Sequence, residues 1–167
     1  SNPVRARFYE YPRFTYPWHF HSEYEIIYVE KGEGDCLVGD SIISYSKGDL
    51  ILFGSELPHS MQSPPDDGEE SDNEEKSEPK VRGVNIQFEK DFMHYSISQY
   101  SQFIPIRNLL EDACRGIKFT ITRSGKIIKL LKQIPSAKGV DQIILLLSLL
   151  QMMATSNHRK YLTTSHY

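Results

Sequence analysis

The chain has 167 residues, 39% hydrophobic and 25% charged, with a formal net charge of −3 at pH 7; that suits one globular domain, or one domain with a short helical appendage, with core enough to need no metal or disulfide. Its two cysteines, Cys36 and Cys114, exclude a disulfide scaffold and read as reduced thiols of a cytoplasmic protein. The N-terminus lacks an apolar signal core, and the longest apolar run, 143–153, falls far short of the roughly 18 residues that span a bilayer.

Residues 14–62 read as all-β. Residues 26–30 are apolar and β-branched, and Gly32 and Gly34 close them with a turn. Strands then follow at 35–38, 41–45 and 50–53, separated by Gly39-Asp40 and by Lys47-Gly48-Asp49. Short strands at regular spacing are the pattern of a small barrel or sandwich. Residues 64–80 hold eight acids and two lysines and almost no hydrophobes, which predicts a mobile acidic insert. The rest has 14 acids against 17 bases, a balance that is not in itself a nucleic-acid-binding surface. Residues 81–88 resume a strand, with Val84, Ile86 and Phe88 on one face.

Beyond Glu89 the period changes to that of helices. Residues 106–115 carry Ile106, Leu109, Leu110 and Ala113 at helical spacing, and residues 124–134 carry Ile127, Ile128, Leu130, Leu131 and Ile134. A third helix spans 140–154 and is apolar nearly all round, so it needs cover on more than one side. Either the first two helices or a second copy of the chain can supply that cover. For the second case the surface chosen is Ile144, Leu147 and Met152.

Chemistry concentrates in W-H-F-H-S-E-Y-E-I-I-Y-V-E-K-G-E-G, residues 18–34. Strand alternation, with no bulge, puts His19, His21 and Glu25 on one face and turns Trp18, Phe20, Tyr24 and Tyr28 away. Imidazoles with a carboxylate are the donors that a divalent Zn, Ni or Fe site uses. His59, in G-D-L-I-L-F-G-S-E-L-P-H, is the natural fourth ligand.

These residues resemble the cupin superfamily. His19-x-His21, three residues, Glu25, six residues and Gly32 match its first motif, although Arg13 stands where the leading glycine belongs. Gly48, Gly54, Glu56 and His59 keep the spacing of its second motif. There P-x-G has become G-x-E, and Ser63 stands in place of asparagine. Together with V-G-D-S-I, N-I-Q-F and L-L-E-D-A-C-R-G-I-K-F, the same stretches resemble the N-terminal sensor domain of AraC-type transcription regulators over roughly residues 14–160.

The resemblance implies a mainly β protein with α. A cupin-type double-stranded β-helix, or jelly-roll, barrel would occupy 1–100, interrupted at 64–80, and a helical dimerisation segment would follow at 101–167. It implies a small-molecule effector, a sugar by family habit, with Phe14, Tyr16, Trp18, His19, His21, Glu25, Phe53 and His59 as contacts. An N-terminal arm over 3–14 would close on that effector. It also implies a homodimer that reaches DNA only through a helix-turn-helix domain outside this chain, with no membrane role. No cofactor is required. The quartet His19, His21, Glu25 and His59 stays open to three readings: a catalytic metal site, a metal or effector site used in sensing, or hydrogen-bonded polar groups of the barrel interior. The regulator resemblance favours the last two, so no enzyme is expected. The competing reading is a metal-dependent cupin enzyme of dioxygenase or isomerase type.

Overall fold

The computed structural model describes residues 2–65, 80–121 and 124–164, apart from the side chain of Tyr16. Residues 66–79, most of the expected acidic insert, lie outside the described residues. Two antiparallel sheets form the expected jelly-roll barrel. The larger has the order β1 (Val4–Tyr11), β8 (Val81–Phe88), β3 (Tyr24–Lys31), β6 (Asp49–Phe53), β9 (Ile117–Thr120) and β10 (Arg159–Tyr161). The smaller has the order β2 (Thr15–His19), β7 (His59–Gln62), β4 (Gly34–Val38) and β5 (Ser41–Tyr45).

Alternation along each strand sorts the side chains into two cores. Between the sheets lie Ile27, Val29, Cys36, Val38, Ile51, Phe53 and Met61. On the other face of the larger sheet, Ile26, Leu50, Leu52, Val84, Ile86 and Phe88 pack against the helices. These are α1 (His94–Gln99), α2 (Ile104–Asp112), α3 (Gly125–Gln133) and α4 (Val140–Ala154). Strands β3 and β6 are buried on both faces, so they read as continuous apolar runs. Each such fully buried side chain contributes roughly 1.5–3 kcal/mol of transfer free energy. Helix α4 buries Leu146, Leu149, Leu150 and Met153 and leaves Ile144 exposed, with Leu147 and Met152 half-buried.

Two expectations change. The segment expected as an N-terminal arm is strand β1, paired with β8 over eight residues from Val4↔Phe88 to Tyr11↔Val81. Its charges hid it, because an edge strand leaves Arg5, Arg7 and Glu10 exposed. The segment expected to be helical returns two strands, β9 and β10, to the larger sheet, so barrel and helices share one sheet. Four- and three-residue strands are too short to show a period.

Close approach fixes Gly83 most tightly. A Cβ on Gly83 would fall 1.9 Å from the Tyr28 carbonyl oxygen and 2.7 Å from the Tyr9 hydroxyl. That hydroxyl donates to the same carbonyl at 2.8 Å.

Candidate functional site

Strand β2 ends at His19, which pairs with His59 on β7 after a register irregularity between Tyr16 and His19. The chain then leaves the sheet. His21 lies in the connection, and Glu25 sits near the start of β3. Alternation along one strand is therefore not what gathers these groups, contrary to expectation; a bulge and a turn fold three consecutive pieces of chain over one point.

The gathering itself is tight. Glu25 Oε1 lies 2.5 Å from His59 Nε2, 3.4 Å from His21 Nε2 and 3.9 Å from His19 Nε2. One ligand-type atom from each of the four residues falls within 4.8 Å of every other. Glu25 Oε2 accepts hydrogen bonds from Asn85 Nδ2 at 2.8 Å and Gln87 Nε2 at 3.1 Å. The Phe53 ring stacks on His59 at 3.9 Å. Glu25 and His59 are fully buried.

The tautomers follow from the far side of each ring. His19 Nδ1 lies 2.6 Å from the Pro17 carbonyl, His21 Nδ1 3.0 Å from that of Glu23, and His59 Nδ1 2.8 Å from that of Leu57. A carbonyl only accepts, so each Nδ1 carries the proton and donates it. Each Nε2 then holds either a second proton or a lone pair, and all three point at one carboxylate. Burial alone would push the Glu25 carboxyl up, but the neighbouring imidazoles of His19, His21 and His59 hold it well below its ordinary value. The nearby Glu25 carboxylate raises His19 and His21 in turn, against the lowering effect of burial.

A divalent metal fits this donor set. His21 Nε2 is buried without a hydrogen bond, and backbone carbonyls behind ligating imidazoles are the outer-shell arrangement of metal sites. The two amides behind Glu25 escaped the sequence reading. Their signal was the polar face of N-I-Q-F, alternating with Val84, Ile86 and Phe88.

The other expected contacts disperse. Phe14 is buried in an aromatic cluster, with ring centroids 5.2 Å from Tyr9 and 5.7 Å from Tyr45. Trp18 is 48% exposed. The side chain of Tyr16 lies outside the described residues.

A second feature occupies the opposite mouth of the barrel. Glu25 and Lys31 stand near opposite ends of β3, about 20 Å apart at strand rise. Around Lys31 opens a cavity of about 890 Å³ whose rim, among the described residues, carries Arg13, Lys31, Lys47 and Lys80 against the single acid Glu33. Val81, Pro64 and Pro65 supply apolar wall. Ser63 lines it too, and its Oγ accepts the Phe14 N–H at 2.7 Å, which ties the cavity wall to the aromatic cluster.

Residues 2–71 match the family model of the AraC-like ligand binding domain. Solved structures of ToxT from Vibrio cholerae share the fold. An apo lysine-to-alanine variant gives a TM-score of 0.57 at 16% identity, covering 92% of this chain and 55% of that one. The wild type with bound unsaturated fatty acid gives 0.53 at 16%, covering 90% and 50%. The complex with (E)-4-(8-methylnaphthalen-1-yl)but-3-enoic acid gives 0.56 at 13%, covering 94% and 60%. At such identities the likeness shows the fold alone, and this chain spans 50–60% of the length of those three. No curated protein matches the sequence.

Proposed function

We propose that this chain, which carries an AraC-type cupin-like ligand-binding domain, is the effector-sensing part of a cytoplasmic transcription regulator, and that its effector is a small organic acid. One observation carries the choice of acid: among the described residues, four cationic side chains and one acidic one line the cavity of about 890 Å³. A carboxylate sits among Arg13, Lys31, Lys47 and Lys80, and the apolar remainder lies over Val81, Pro64 and Pro65. The ToxT structures named above hold a fatty acid and an arylbutenoic acid, which agrees with this chemistry.

The sugar implied by family habit is the second reading. Stacking needs a free aromatic face in a cavity. Phe14 is packed among tyrosines, Phe53 lies on His59 and Trp18 is exposed. The polar groups that would hold sugar hydroxyls are His19, His21, Glu25 and His59.

The same four residues hold a divalent Zn, Ni or Fe ion in this proposal. When bound, the metal supplies a fixed positive charge that ties β2, β3 and β7 together at Glu25. The same donor set is what a metal-dependent cupin enzyme uses, so the metal by itself does not separate sensor from enzyme. Dimerisation falls to α4, where Val140 and Ile144 are 69% and 53% exposed beside the half-buried Leu147 and Met152. DNA is reached through a domain outside this chain.

Thermal unfolding with decanoate, arabinose and glucose tests the effector class. Decanoate at a hundred times its dissociation constant stabilises by about 2.7 kcal/mol, and the sugars do nothing. Stabilisation by a sugar with none by decanoate selects the second reading.

A further inference from the structure

A smaller cavity, of about 270 Å³, lies at the other end of the barrel and is lined by Arg5, Ala6, Arg7, Asn85 and Gln87. Register explains the lining. Arg5 pairs with Gln87 and Arg7 with Asn85 across β1 and β8, and Gln87 pairs in turn with Glu25 on β3. Directly opposed residues share a face, so two guanidiniums and two carboxamides form one polar sheet surface running up to the histidine quartet.

The charge there is unbalanced. Glu25 is already engaged by three imidazoles and by both amides. Arg5 has Glu23 at 3.5 Å, while Arg7 has no ion pair among the described residues. Two like charges two residues apart on one strand face repel. A planar oxyanion relieves that repulsion, because each guanidinium fork matches a carboxylate with two parallel hydrogen bonds. Pockets for drug-sized ligands run to about 300–1,000 Å³, so this one suits an acid of a few carbons and no long tail.

We infer that the Arg5–Arg7–Asn85–Gln87 cavity binds a small dicarboxylate or hydroxycarboxylate, at a site separate from the effector cavity at Lys31. The two arginines take the carboxylates, and the amides take a hydroxyl or a second carboxylate oxygen. Because both amides also hold Glu25, occupancy is felt at the histidine quartet. The inference stands on its own lining residues and does not require the effector reading.

Titration of the protein with succinate, followed by two-dimensional NMR of backbone and side-chain amides in chelator-treated buffer, tests it. The expected result is a saturable shift of the Asn85 and Gln87 side-chain resonances. Affinity should fall at least about tenfold in Arg7→Gln, partly recover in Arg7→Lys, and stay unchanged in Lys31→Gln. Arg7 is exposed, so its variants fold. Unchanged affinity in Arg7→Gln, shifts confined to the Lys31 mouth, or no shift at millimolar succinate overturns the inference.

Discussion

Three imidazoles that share one carboxylate and have each committed an Nδ1 proton to a carbonyl need positive charge between them. Protons on His19 and His21 supply it in the metal-free protein. His19 and His21 are raised above their ordinary 6.5, so the stability they contribute is complete below about 6.5 and is lost as pH rises through the raised values. Glu25 is held well below 4.5, so its contribution is present above 4.5 and is lost as pH falls through that lowered value. The metal-free melting temperature should therefore peak between these limits and decline toward pH 8. Added Zn²⁺ should flatten the alkaline decline, because the ion replaces the protons. Melting curves at pH 5–8 with chelator and with zinc check this; identical profiles contradict it. Removing the carboxylate as Glu25→Gln leaves buried imidazoles without a counter-charge and should cost about 3 kcal/mol in chemical denaturation. At this scale the spacing of His19, His21, Glu25 and His59 was readable from sequence, because the motif records it. One departure from the motif is readable only in the backbone. Glu56 stands where the pattern has glycine, yet it keeps a left-handed φ of 65°. Glu56→Gly should stabilise the protein by about 1 kcal/mol.

Elements with a strong period were legible and edge elements were not. Helix α4 spans 140–154 as expected, and the runs that became α2 and α3 were recognised within a few residues, because burial against a sheet imposes a helical repeat on their sequences. Strand β1 was missed because V-R-A-R-F-Y-E-Y combines an exposed, charged edge with tyrosines directed between the sheets. Its packing depends on a small neighbour. Gly83→Ala would force a methyl into the Tyr28 carbonyl and the Tyr9 ring, and should cost about 3 kcal/mol by urea titration.

Across the whole molecule the barrel is a packed core with a polar site at each end, not one hollow cage. Ile27, Val29, Ile51, Phe53 and Met61 fill the middle, which is why the seven described residues expected around one effector divide between two ends and the outer surface. The cationic mouth could not be read from sequence. Arg13, Lys31, Lys47 and Lys80 come from four separate stretches, and only the closure of the barrel brings them together. The larger sheet also carries the helices on its far face. Organic-acid binding at the Lys31 mouth is tested most directly by calorimetric titration of decanoate into the protein and into a Lys31→Gln/Lys47→Gln variant. The expected result is one saturable site per chain, weakened at least about tenfold in the variant. Equal affinity for both proteins, or no binding to either, would contradict it.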